Sequence, residues 1–190
     1  MTPWGVLKTV ISRLDELGIP HMVIGSFASS AYGLLRTTHG ADIIVDLKVG
    51  QAGQVVEAFR RDFYVDAGQV EQAITGKRSF NVIHLEVFFK VDFFVLADTK
   101  FAREEFSRRI RWPLGAQLGE VCVATPEDVL LSKLRWYLDG GQVSEVQWRD
   151  VIAVVKTQAG KLDWLYLRRW AQEPQIVDLL ERARQEAGVE

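Results

Sequence analysis

Apolar residues recur at Val6, Val10, Ile11, Leu14 and Leu17, the spacing of one helical face, which predicts a helix over residues 3–18. Gly18 and Pro20 close it. His21-Met22-Val23-Ile24 is a short strand pattern ending at Gly25-Ser26, and residues 28–35 read as a helix of small residues. A β-rich run over residues 41–47 predicts a strand, and residues 51–62 a helix with Val55, Val56 and Phe59 inward. A brief strand at 63–65, a helix at 68–76 and strands at 80–85 and 90–96 follow, the last two joined by a tight turn around 86–89. One or two helical turns at 101–107 precede two further strands, at 108–112 and 118–124.

The texture changes at Thr125-Pro126-Glu127-Asp128. Thr125 suits the cap position, Pro126 the first helical position, and the two acids the first turn. From there the pattern is helical over 126–138, 144–159, 162–172 and 174–187, with breaks at Gly140-Gly141, Gly160 and Pro174. The expected organisation is a mixed α/β core over 1–124 and a helical region over 125–190 packed on it. The fold class is α/β of the α+β kind, a small mixed sheet flanked by helices with a C-terminal helical bundle.

Composition narrows the class. At 190 residues the chain is long enough to bury roughly 70% of its unfolded surface without staples. Net charge is −2, with 23 basic and 25 acidic residues, which leaves no global electrostatic footprint for nucleic acid or an anionic membrane. The one cysteine, Cys122, cannot form an internal disulfide and is expected to be buried in its strand. The most apolar segment, 82–97, carries His84, Glu86, Lys90 and Asp92, too charged to span a bilayer. No secretory signal is visible at the N-terminus. The expectation is a soluble, cytoplasmic protein with no membrane contact.

Candidate chemistry centres on residues 25–46. A strand that ends in Gly25-Ser26 and opens a helix suits phosphate, because glycine lets backbone approach a ligand and helix N-terminal amides attract anions. The same residues also suit a plain helix cap, with Ser26 at the cap position. Thirteen residues separate Ser26 from position 40, where the strand carrying Asp42 begins. Downstream, Lys90 and Asp92 share one face of another strand by alternation.

This combination resembles the nucleotidyltransferase superfamily, the DNA-polymerase-β-like fold. Its pattern is Gly-Gly or Gly-Ser, then nine to thirteen residues, then Asp-x-Asp on a strand, with a third carboxylate on a later strand. Arg36-Thr37-Thr38 before the strand is similar to the bacterial AbiEii-like predicted nucleotidyltransferases, which occur among toxin–antitoxin modules. Thr125-Pro126-Glu127-Asp128, Lys133-Leu134 and Arg149-Asp150 resemble the helical half of that group, so the resemblance spans most of 20–155.

The resemblance implies a nucleoside triphosphate as substrate or ligand, with Mg²⁺ or Mn²⁺ as cofactor. The implied reaction is transfer of a nucleoside monophosphate to an RNA such as tRNA, a protein or a small molecule, and an antitoxin is an implied partner. Asp42 and Asp92 are the implied catalytic and metal residues; Gly25, Ser26, Arg36, Lys90 and Lys133 are the implied nucleotide-binding residues. In such centres two metal ions stabilise the attacking and leaving oxygens. The chain departs from the pattern at the first Asp of the pair, which is Gly40. Asp46 cannot replace it, since four residues is roughly 13 Å along a strand. His39 is a poor Mg²⁺ ligand by type. Glu86 is an alternative donor near the predicted turn. On this reading a carboxylate restored at position 40 should raise Mg²⁺ affinity. A second reading keeps the fold but not the transfer chemistry, leaving a nucleotide-binding or protein-binding module.

Structural alternatives stand beside several assignments. Lys90 with Asp92 also reads as a surface ion pair, Lys133 as an ordinary solvated lysine, and Arg149 with Asp150 as a structural pair. His84 reads as a satisfied structural histidine. Trp136, Trp148, Trp164 and Trp170 are assigned to packing. Arg103, Arg108, Arg109 and Arg111, and separately Arg168 and Arg169, could meet an RNA acceptor, but interleaved Glu104 and Glu105 favour a solvated face.

Overall fold

The computed structural model describes residues 1–33, 40–113, 119–173 and 175–189. These residues form two compact units. The first holds α1 (Pro3–Glu16), β1 (His21–Ile24), β2 (Gly40–Val45), α3 (Ala52–Phe59), β3 (Phe63–Val65), α4 (Ala67–Gly76), β4 (Ser79–His84), β5 (Lys90–Val95), α5 (Lys100–Arg108), β6 (Ile110–Pro113) and β7 (Glu120–Val123). The second holds α2 (Gly25–Tyr32), α6 (Pro126–Asp139), α7 (Glu145–Thr157), α8 (Trp164–Ala171) and α9 (Val177–Ala187).

Among the described residues, seven strands make one mixed sheet in the order β3-β4-β5-β2-β1-β7-β6. The β2–β5 and β1–β7 pairs are parallel and the other neighbours antiparallel. Alternation sorts β2, β4 and β5 into two faces. Ala41, Ile43, Val45, Phe80, Val82, Val91, Phe93 and Val95 point into the core, while Asp42, Asn81, Lys90 and Asp92 point the other way. The core face carries an aromatic cluster. Phe59 stands edge-on to Phe63 at 5.4 Å between centroids, and Phe80 stacks on Phe93 at 5.0 Å. Each such fully buried ring contributes roughly 1.5–3 kcal/mol, so this cluster anchors the sheet to α3.

Helix α1 starts where the sequence signals it. Thr2 accepts the Gly5 amide hydrogen, Pro3 occupies the first turn, and Gly18 (φ 62°) lets the chain turn out of the helix. Arg13 on α1 lies over the rings of Phe59 and Phe63 and pairs with Asp62. The β4–β5 turn is a five-residue hairpin loop without glycine. Phe88 supplies the left-handed residue (φ 52°), and its amide bonds the His84 carbonyl. Buried His84 is satisfied as expected: its ring nitrogen accepts the Glu86 amide at 3.3 Å and Phe63 lies edge-on to it.

The Arg13–Asp62 pair gives a pH prediction. The guanidinium holds the Asp62 carboxyl below its ordinary range. A depressed folded value means the stabilisation is present above the unfolded carboxylate range, near 4, and disappears as pH falls through the folded value. Melting temperatures of the native chain and Asp62→Asn should therefore differ at pH 7 and converge towards pH 3. A constant gap across that range would show that the carboxylate charge contributes nothing.

The second unit is helical. Tyr32 at the end of α2 donates to the Ala124 carbonyl at 2.7 Å, and the Tyr32 carbonyl accepts from Thr157 on α7. Burial first, then the charges of Glu127 and Asp128, push the Tyr32 hydroxyl well above its ordinary range, so it stays a donor. Asp128 is fully buried and accepts from the hydroxyls of Tyr166 and Thr125, both at 2.6 Å. The first-turn acid of the sequence pattern is thus an internal post joining α6 to α8. Trp136, Trp148, Trp164 and Trp170 are half-buried. Three of them pack under arginines: Arg182 over Trp148, Arg184 over Trp164 and Arg169 over Trp170. Trp148 also donates to Glu186 at 2.8 Å, which holds that carboxyl below its usual range.

Candidate functional site

The parallel pairing of β2 with β5 sets Asp42 directly opposite Asp92. Both are half-buried and share the sheet face away from the core. Register extends this into two rows. Asn81, Asp92, Asp42 and Ile24 lie side by side across β4, β5, β2 and β1. The neighbouring row is Tyr64, Ile83, Lys90 and Gly40, across β3, β4, β5 and β2. Neighbouring strands are about 4.8 Å apart, so the two carboxylates can act on one ligand. Asn81 is a member of the row that sequence reasoning missed. Its alternation on β4 was legible, but its partner depends on the hairpin register.

Lys90 does not reach away from the acidic pair. Its Nζ lies 2.8 Å from Asp92 Oδ1. The expected surface ion pair therefore forms, and it forms at the position expected to face phosphate. Asp46, by contrast, is held by Lys48 at 3.1 Å.

Gly40 has a structural cause of its own. A Cβ built there would lie 3.0 Å from the Lys90 carbonyl oxygen, and that oxygen belongs to strand backbone. Restoring a side chain there thus meets the neighbouring strand, which must give by a few tenths of an ångström. Overpacking of this kind costs about 1–3 kcal/mol. Gly40→Asp should lower the denaturation midpoint accordingly, and an unchanged midpoint would mean that the β2 edge shifts freely.

Gly25 and Ser26 belong to the start of α2. Gly25 has φ 64°, a value that only glycine adopts without strain, and it lets the chain pass from strand to helix with no intervening loop. The helix begins at Gly25, so Ser26 sits inside the first turn rather than at the flanking cap position. The Ser26 carbonyl accepts from the hydroxyls of Ser29 and Ser30.

Lys133 is not a solvated lysine. Only 3% exposed, it forms an ion pair with Asp150 at 2.8 Å across α6 and α7. Asp150 is 6% exposed, and it takes Lys133 rather than its neighbour Arg149 as a partner. Arg36, Thr37, Thr38 and His39 lie outside the described residues. Glu86 is exposed in the hairpin loop. Among the described residues, no three His, Cys, Asp or Glu side chains gather as a metal-binding group. The basic runs are largely tied up locally: Arg103 with Asp98, Arg109 on the Phe106 carbonyl, Arg111 near Glu120, and Arg168 with Glu181. Cys122 is half-buried rather than buried, because alternation along β7 turns Val121 and Val123 to the core and Cys122 to the opposite face.

Two carboxylates on adjacent strands suit a single Mg²⁺ or Mn²⁺ that keeps waters or phosphate oxygens as its other ligands. Among the described residues no third carboxylate joins them, so they do not supply the donors for two ions.

The seven-stranded mixed sheet, with its acidic pair on adjacent parallel strands, defines a nucleotidyltransferase-like fold. Solved structures with this architecture include an antigenic nucleotidyltransferase-like protein from Paracoccidioides brasiliensis. It matches 98% of this chain and 90% of its own, at TM-score 0.65 and 17% identity. The antibiotic-resistance factor ANT(2'')-Ia matches 97% of this chain and 93% of its own, at TM-score 0.54 and 11% identity. No protein-family model matches the chain. No curated protein matches it either. Among the described residues, no helix is long and apolar enough to cross a membrane.

Proposed function

We propose that this protein binds a nucleoside triphosphate and transfers its nucleoside monophosphate to an acceptor hydroxyl. The observation that carries the reading is the register of Asp42 against Asp92 on adjacent parallel strands of a nucleotidyltransferase-like sheet. In the transfer, the acceptor oxygen forms a bond to the α-phosphorus and the bond to the β-phosphate bridge breaks. Pyrophosphate leaves, and the acceptor proton passes to a carboxylate or to water. Asp42 and Asp92 would hold one Mg²⁺ or Mn²⁺ together with phosphate oxygens. The ion, when bound, would supply positive charge where negative charge develops on those oxygens.

The amides that open α2 at Gly25 and Ser26 would receive phosphate, which helix N-termini favour by their exposed N–H groups and dipole. β1 ends at Ile24, the register partner of Asp42, and Gly25 is the next residue in the chain. Lys133 serves stability in this reading, because its ammonium is already engaged by Asp150. The acceptor is a hydroxyl on RNA, on a protein or on a small molecule. A link to AbiEii-like toxin–antitoxin modules, with an antitoxin as partner, rests on the resemblance of Arg36-Thr37-Thr38, Thr125-Pro126-Glu127-Asp128, Lys133-Leu134 and Arg149-Asp150 to that group.

Gly40 favours a second reading, in which the chain binds nucleotide without transferring it. One experiment separates the two. Each α-labelled nucleoside triphosphate is incubated with the chain, Mg²⁺ or Mn²⁺, and total RNA, protein or small-molecule hydroxyl acceptors, while nucleotide binding is measured in parallel. Label incorporation above a protein-free blank is the expected result. Binding without incorporation would select the second reading, and neither binding nor incorporation would reject both.

A further inference from the structure

We infer that the Lys90 ammonium takes the place of one divalent cation at the Asp42–Asp92 pair, so that the site accepts a single ion. The inference rests on the nucleotide reading only for why an ion is wanted there. Its geometry belongs entirely to the β2–β5 pair. Gly40 and Lys90 are register partners, directly beside the register partners Asp42 and Asp92. The position that lacks a carboxylate therefore stands opposite the position that adds an ammonium.

Lys90 Nζ lies 2.8 Å from Asp92 Oδ1, within charge-assisted hydrogen-bond distance. Counted over these three described side chains alone, two carboxylates and an ammonium leave one net negative charge, whereas three carboxylates would leave three. A cradle of one net charge does not draw in two divalent ions. The Lys90 backbone carbonyl is 3.0 Å from the Cβ that Gly40 lacks, a contact set by the strand pairing.

A plain surface ion pair makes a different prediction. Half-exposed lysines often form pairs of little consequence, and removing one would leave metal affinity unchanged. If Lys90 instead occupies an ion position, removing it should free Asp92 for metal and delete a like-charge repulsion.

The test is Mn²⁺ binding to the full chain without nucleotide, read by the loss of the free-ion magnetic resonance signal. Lys90→Met should bind Mn²⁺ about fivefold more tightly than the native chain, the affinity equivalent of releasing one partly exposed ion pair. Lys90→Arg should behave as native, and Lys90→Met with Asp92→Asn should lose the gain. Melting temperatures within the native range would show that the variants are folded, as expected for a half-exposed side chain. Equal or weaker Mn²⁺ binding by folded Lys90→Met would overturn the inference. Nucleotide binding by the native chain is measured separately. Its absence alongside the Mn²⁺ gain would reject nucleotidyl transfer and leave the role of Lys90 standing.

Discussion

Lys133→Met should cost about 3–5 kcal/mol of unfolding free energy, because it removes the counter-ion of the buried Asp150 carboxylate. Both partners are nearly withdrawn from water, at 3% and 6% exposure. A charge in that position cannot recover its hydration when its counter-ion is removed. The loss is a large share of the 5–15 kcal/mol that holds a typical domain together. Asp150→Asn should be milder, since it leaves a neutral acceptor for the lysine. Lys133→Met with Asp150→Leu should recover most of the loss, because replacing both charges removes the desolvation penalty of each. Denaturant unfolding of the four chains checks the set. A Lys133→Met midpoint equal to native would mean that water reaches the pair. A double variant no better than the single would mean that other contacts of the two residues carry the stability.

The second large effect concerns transfer. Asp92→Asn and Asp42→Asn should each lower the rate of nucleotidyl transfer at least about 100-fold, the consequence of several kcal/mol of lost charge stabilisation. Asparagine keeps the size of the side chain, and both positions are only half-buried, so the fold should survive with little change in melting temperature. On the proposed reading the loss should fall on the rate more than on nucleotide binding, since the ion's charge matters most where negative charge develops in the transfer. Single-turnover rates and nucleotide affinity, measured on the same preparations, give the split. Native rates in both variants would remove the acidic pair from the chemistry. Equal losses in rate and affinity would instead make the pair a binding element.

These two predictions depend on different kinds of legibility. The helices and strands were readable because period and punctuation are local. Thr125 with Pro126 announced the start of α6, and that start is capped as expected. The β4–β5 hairpin was readable from two apolar alternating runs, although its turn lacks glycine. There the positive φ falls on Phe88, held by the His84 and Phe89 backbone bonds of the loop. Asp42 and Asp92 could be singled out because alternation and the Gly-Ser spacing are both sequence properties.

Other features were invisible along the chain. Lys133 and Asp150 are seventeen residues apart, and a lysine on a helix gives no sign of burial until a second helix covers it. Asp128 looked like a dipole-complementing acid of the first turn. Its burial follows from Tyr166, thirty-eight residues on, donating to it from α8. Gly40 read as a missing ligand because the sequence records only which side chain is absent. The approach of the Lys90 carbonyl, which makes a side chain there unwelcome, exists only once β2 and β5 pair.

By itself, then, the sequence determined the elements, their order, the division of sheet residues into a core face and a polar face, and the acidic residues eligible for a site. Those properties follow from nearest-neighbour periodicity and from the backbone preferences of Gly, Pro and capping residues. Only the tertiary structure decided that Asp42 stands opposite Asp92, that Lys90 pairs with Asp92, that a Cβ at Gly40 would meet the Lys90 carbonyl, and that Lys133 is buried against Asp150. Strand register and helix packing are set by contacts between residues distant in the chain, which no local pattern encodes.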